Sequence, residues 1–184
     1  MVVELETPRI ILITGIMAAG KSTVAQALAE RLPKSVHLRG DIFRRMIVNG
    51  RAEMTSNYGE EAYQQLMLRY RLAVNTAGQY LAAGFTVVYQ DVILGNELAT
   101  VISLIQAAIP SYSLHVIVLA PSPDVATARD QARAKTGYSD WTAEALDAGL
   151  RSETPRVGVW IDNSTQTVDE TVDEVLSRLS DAVI

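Results

Sequence analysis

The run Gly15-Ile16-Met17-Ala18-Ala19-Gly20-Lys21-Ser22 constrains this chain more than any other feature. It fills every specified position of the spacing G-x-x-x-x-G-K-[ST], and its flanks are those the spacing needs. Before it, Arg9 to Thr14 (RIILIT) reads as a short buried strand. After it, Lys21 to Leu32 carries Val24, Ala25, Leu28, Ala29 and Leu32 at helical spacing and stops at Pro33. A strand that turns through glycines into a helix aims backbone N–H groups into one concavity at the positive end of the helix dipole. Phosphate is the natural occupant. Gly15, Ala18, Ala19, Gly20, Lys21, Ser22 and Thr23 are the candidate phosphate-binding positions. Lys21 adds a cation at the β- and γ-phosphates, and Ser22 offers an oxygen to Mg²⁺, with Thr23 as second choice. The predicted ligands are ATP and Mg²⁺. No G-x-G-x-x-G follows the first strand, which argues against a dinucleotide.

Strands and helices alternate through the rest of the chain. Val36–Arg39, Phe85–Gln90, Leu114–Leu119 and Val157–Ile161 read as strands. Helices are predicted over Asp41–Val48 with Asp41 as N-cap, Glu60–Ala83, Glu97–Ala108, Asp124–Lys135, Thr142–Leu150 and Val168–Leu179. Alternation of this kind means parallel strands joined by right-handed crossovers. The expected fold is therefore an α/β three-layer P-loop NTPase, with a central parallel sheet of about five strands and helices on both faces. With 184 residues and no low-complexity linker, one domain is expected over residues 1–184.

Ligands of open parallel sheets bind beyond the carboxyl ends of the strands, so the residues there are the site candidates. Asp41 follows the second strand and is placed to take a proton from an acceptor hydroxyl; Arg44, nearly one turn on, could hold a polar or anionic part of that acceptor. Asp91 ends the third strand, where a carboxylate would either hold Mg²⁺ or orient the acceptor. Arg129 and Arg133 share a helix face after the fourth strand and suit migrating phosphates, so residues 124–140 are the candidate lid. Asp162 to Thr165, after the fifth strand, would lie near the nucleotide base. The segment 42–83 is the candidate acceptor-binding region, with Tyr70, Tyr58, Tyr63 and Met67 as wall or core residues.

Composition trims the alternatives. A net charge of −5 argues weakly against a duplex nucleic-acid binder. With no cysteine, thiolate catalysis and disulfides are excluded. His37 and His115 lie in strand-like runs and read as packing positions. Met1 to Arg9 lacks the basic start of a secretory signal, and no apolar run reaches membrane-spanning length, so a cytoplasmic monomer or homodimer is expected. Where a GTPase would carry N-K-x-D, the chain reads Ala120-Pro121-Ser122-Pro123.

These motifs together resemble the small P-loop kinases, a group that includes chloramphenicol phosphotransferase, gluconate kinase, shikimate kinase and the kinase part of polynucleotide kinases. The phosphate loop, Asp41, the Asp91-Val92-Ile93-Leu94-Gly95 stretch and the arginines of Thr127 to Lys135 carry the resemblance. It implies that Asp41 is the general base and that Arg133, with Arg129, contacts phosphates from a lid. The spacing Asp41-x-x-Arg44 also resembles polynucleotide kinases. The expected activity is ATP-dependent transfer of the γ-phosphate to a hydroxyl of a small metabolite or antibiotic. The alternatives are a nucleoside or polynucleotide 5′-hydroxyl kinase, and a nucleotide-gated switch with slow hydrolysis.

Overall fold

The computed structural model describes residues 7–55, 57–132 and 141–184. Five strands, β1 (Ile10–Gly15), β2 (Ser35–Arg39), β3 (Thr86–Gln90), β4 (Leu114–Leu119) and β5 (Val159–Ile161), form one sheet in the order β2-β3-β1-β4-β5. Every pairing is parallel. Parallel sheets are covered on both faces, so their inner strands read as unbroken aliphatic runs rather than as alternation. Accordingly, β1, β3 and β4 are buried at every position. The helices are α1 (Lys21–Arg31), α2 (Asp41–Arg45), α3 (Glu60–Ala82), α4 (Asn96–Ala108), α5 (Pro123–Gln131), α6 (Ala143–Glu153) and α7 (Val168–Ser177), followed by a 3-10 turn at Leu179–Ala182. Helix α1 packs with α7, and α3 with α4, so that the sheet is the middle of three layers. This is the P-loop NTPase fold.

The strand order positions the site. From β1 the chain passes to the outer strand β2, fills the gap with β3, and then crosses β1 to reach β4. The sheet order thus reverses around β1, and a crevice opens at its carboxyl end, where the phosphate loop lies. Whatever follows β3 and β2 lies on one side of that loop. Whatever follows β4 and β5 lies on the other.

Some boundaries differ from those expected. Helix α2 ends at Arg45, short of Val48, and its N-cap is Gly40 rather than Asp41. Gly40 is already helical, and its N–H is tied to the Gln90 carbonyl at 3.0 Å, so the turn starts one residue earlier. The Asp41 side chain caps nothing and pairs with Arg45 one turn on. Helix α6 runs on to Glu153, past the expected end at Leu150, and is capped by the Thr142 side chain. Helix α5 ends at Gln131; Arg133, Lys135 and the rest of the predicted lid to residue 140 lie outside the described residues.

Candidate active site

The phosphate loop owes its shape to crowding between β1 and β4. At Gly15 (φ 141°) a Cβ would overlap the Leu119 carbonyl oxygen, so only glycine lets the chain leave β1 there. Gly20, in a left-handed conformation, opens α1 without any side-chain cap. Every other α-helix among the described residues has an acidic residue in its first turn; α1 has none. A helix N-terminus that lacks both a capping side chain and a carboxylate keeps its positive end for an external anion. The Lys21 ammonium is largely buried and donates to the Ile16 carbonyl at 2.7 Å, folded over the loop. Ser22 and Thr23 are exposed at the helix start.

On the β3 and β2 side the residues form a charge cluster. Asp91 is only 3% exposed, and its carboxylate is saturated by the protein. Arg69 grips both oxygens, with Nε to Oδ2 at 2.7 Å and an Nη2 bond to Oδ1. The Val92 N–H adds a bond to Oδ1 at 2.8 Å, and the Tyr89 hydroxyl approaches Oδ2 at 3.4 Å. A Cβ at Gly40 would overlap the same carboxylate, so Gly40 is the residue that lets Asp91 pack against the start of α2. Asp91 was expected to hold Mg²⁺ or touch the acceptor. In the structure it is bonded to Arg69, the kind of partner a carboxylate this deep requires. Arg69 was missed by sequence reasoning, although it left a signal. It falls on the buried stripe of α3 between Leu66 and Ala73, and an arginine on an apolar face implies a buried partner.

Asp41 sits beside this cluster with its side chain 40% exposed and paired with Arg45. Burial pulls the Arg69 guanidinium below its ordinary value, and the Asp41 charge is near enough to oppose that. Arg44 bonds to Glu53 and, at 3.4 Å, to the Ala52 carbonyl, and lines a small cavity with Arg69. Tyr70, offered as an acceptor contact, is 1% exposed. Its hydroxyl reaches the Val92 carbonyl at 3.3 Å, and it belongs to the core. Met67 packs on that core too, whereas Tyr58 stacks on Tyr63 at the surface.

The β4 and β5 side holds a cavity of about 270 Å³ that runs from Gly20, Lys21 and Ser22 to Arg129, Asn163 and Gln166. Arg129 donates through Nη2 to the Asn163 carbonyl at 2.8 Å, which places its guanidinium against the phosphate loop. Asn163 donates through Nδ2 to the Ala19 carbonyl at 3.0 Å. Asp162 accepts from the Ser164 N–H at 3.0 Å and from its hydroxyl, and these bonds hold its carboxyl below the usual range. Two buried polar atoms on residues that line this cavity, Arg129 Nη1 and Asn163 Oδ1, have no hydrogen-bond partner among the described residues. Buried polar atoms are nearly always paired, so a cavity bordered by two that are not fits a polar ligand. With the uncapped α1 terminus beside them, the residues present fit a nucleoside triphosphate.

Comparison with known proteins agrees with this geometry. A family described as AAA domain matches residues 10–155. Similar folds occur in a sugar kinase from Janibacter sp. HTCC2649 (16% identity, 95% of this chain and 96% of that one, TM-score 0.69). They occur also in the tunicamycin resistance protein of Deinococcus radiodurans (17%, 96% and 98%, 0.70). A gluconokinase from Sinorhizobium meliloti 1021 is 23% identical over 94% of this chain and 92% of that one, with a TM-score of 0.61. No curated protein matches the chain by sequence.

Proposed function

Because the chain belongs to the AAA domain family over residues 10–155, we propose that it is an ATP-dependent kinase whose acceptor is a hydroxyl of a small molecule. The observation that carries this reading is the division of labour across β1. The nucleotide cavity lies on the β4 and β5 side, and a carboxylate accessible from solvent, Asp41, lies on the other side. Asp41 follows β2, two strands from β1, which is about 10 Å at ordinary strand spacing. A triphosphate held in the loop can span that distance with its γ-phosphate.

The reaction would proceed with the acceptor hydroxyl set between Asp41 and the γ-phosphorus. As the new O–P bond forms, the bond from the γ-phosphorus to the β–γ bridging oxygen breaks, and ADP leaves. The hydroxyl proton passes to the Asp41 carboxylate. Lys21 and the α1 terminus would neutralise the charge on the phosphates, with Arg129 and Arg133 from the lid side. Ser22 would offer its hydroxyl to Mg²⁺, which when bound draws charge from the β- and γ-phosphate oxygens. Asp91 serves the same site at one remove, by fixing Arg69 and the start of α2.

The chain after Asp41 supplies exposed apolar side chains that would form a rim for the acceptor. Ile42 is 50% exposed, Met46 69% and Val48 88%, all within eight residues of Asp41. Such a rim supports an acceptor with an apolar or ring-bearing body. The sugar kinase and gluconokinase neighbours act, by their names, on hydroxylated molecules. The test is a screen of sugars, other metabolites, nucleosides and antibiotics for acceptor-dependent ADP release, with the added phosphate identified by mass spectrometry. The expected result is one acceptor class that accelerates turnover in the parent and does nothing in Lys21→Ala. ATP hydrolysis indifferent to every acceptor would instead favour the switch reading. Nucleosides as the responding class would favour the 5′-hydroxyl kinase.

A further inference from the structure

Asn163 joins three parts of the nucleotide side. Its Nδ2 holds the Ala19 carbonyl of the phosphate loop at 3.0 Å, and its main-chain carbonyl receives Arg129 Nη2 at 2.8 Å. It lies two residues beyond β5 and is only 3% exposed. The bond to Ala19 also settles which end of the amide is which, since a carbonyl accepts only from the NH₂ end. The other end, Oδ1, is therefore an acceptor. Among the described residues it is buried with no partner, and the same is true of the donor Nη1 on the Arg129 guanidinium that the Asn163 carbonyl holds. A lone unpaired acceptor could be an accident of packing. An unpaired acceptor and an unpaired donor, next to one cavity and braced by one residue, describe a ligand edge that both donates and accepts.

We infer that Asn163 is a nucleotide-selecting positioning residue: it braces the phosphate loop and Arg129, and its Oδ1 accepts a hydrogen bond from the nucleoside. This rests on the reading of the cavity as a nucleotide site. Two parts of ATP offer the matching chemistry, namely a ribose hydroxyl and the 6-amino edge of adenine. Both carry a donor next to an acceptor. In guanine the group at position 6 is an acceptor, and it would face Oδ1 with like polarity.

The experiment is calorimetry on the full chain with Mg²⁺ and no acceptor present. ATP, 2′-deoxy-ATP, 3′-deoxy-ATP and the triphosphate of purine riboside, which lacks the 6-amino group, are titrated into the parent and into Asn163→Ala. In the parent, one of the three analogues should bind about tenfold more weakly than ATP, since loss of one hydrogen bond leaves Oδ1 unsatisfied. Which analogue is penalised tells hydroxyl from amine. In Asn163→Ala, ATP should weaken by about tenfold or more, and the penalty for that analogue should vanish. A residue that only stabilised the loop would weaken all four ligands equally, and that result would overturn the inference. So would a parent protein that binds all four alike, a result that needs no folded variant. A parent that binds none of them would refute the nucleotide site itself, and the inference with it.

Discussion

Removing Arg69 would strand a carboxylate that is 3% exposed, and the consequence should be structural before it is kinetic. Asp91 is buried and Arg69 largely so, and breaking a buried pair from one side costs about 3–5 kcal/mol. Arg69→Met should therefore lower the free energy of unfolding by an amount near that figure, seen as a lower denaturant midpoint. Adding Asp91→Leu should recover much of the loss, because a buried ion pair replaced by apolar groups of similar volume is often neutral. Chemical denaturation of the single and double variants checks this. An R69M protein that unfolds with the parent would mean the clamp contributes nothing. The same clamp makes Asp91 a poor base, since every one of its short contacts is already a donor bond. The proposed base is Asp41, whose side chain is 40% exposed against 2% for Asp91.

At the scale of elements, α1 and β2 carry opposite lessons about charge. The first turn of α1 has no acidic residue and no side-chain cap, which leaves it poorly finished as a helix and well suited to phosphates. Thr23→Asp should therefore leave the ligand-free protein as stable as the parent, or more stable by about 0.3–1 kcal/mol. The added carboxylate should at the same time weaken ATP binding by roughly 100-fold through repulsion at close range. Thermal melts and calorimetry on one sample test both halves, and unchanged ATP affinity would contradict the assignment of that terminus. In the edge strand β2, burial pulls His37 down to about 4, helped by Arg39 and opposed by Asp41. Its Nδ1 meets Gln26 at 2.9 Å, while Nε2 is buried with no partner among the described residues, so protonation would place a charge there unsatisfied. A depressed folded value means that the neutral form supports the fold. That support is complete above about 6.5 and is lost as pH falls toward about 4. His37→Gln should melt with a shallower dependence on pH across this window, and a slope equal to the parent's would show that His37 is not involved.

Across the whole molecule, what was legible in the sequence follows from what kind of interaction writes it. The parallel sheet was legible because buried strands are aliphatic runs, and β4 was predicted at its observed ends, Leu114 and Leu119. The phosphate loop was legible because local backbone geometry dictates its glycines. The short bends were less so: Asp41 looks like an N-cap in sequence, but Gly40 takes that place because the sheet reaches it through Gln90. Partnerships between distant residues were invisible. Arg69 and Asp91 are 22 residues apart, and Asn163 and Ala19 are 144 apart. Tyr70 was open between pocket wall and core, because an aromatic on a helix stripe reads the same whether it faces core or ligand; it is 1% exposed. The same long-range pairing separates the surroundings of the two aspartates, Asp91 being held by Arg69 while Asp41 is more exposed.

The most direct test of that separation is the rate of phosphoryl transfer to the acceptor found by screening, measured for Asp41→Asn and Asp91→Asn beside the parent, with ATP affinity and melting temperature for each. Asp41→Asn should fold and bind ATP as the parent does, while the transfer rate falls by about 10²–10⁴-fold, the usual contribution of a positioned base. Asp91→Asn should melt earlier, because Arg69 loses its charged partner. An Asp41→Asn protein that transfers phosphate within about threefold of the parent, far less than loss of a base would cost, would contradict the assignment of Asp41, most sharply if a fully stable Asp91→Asn protein transferred none.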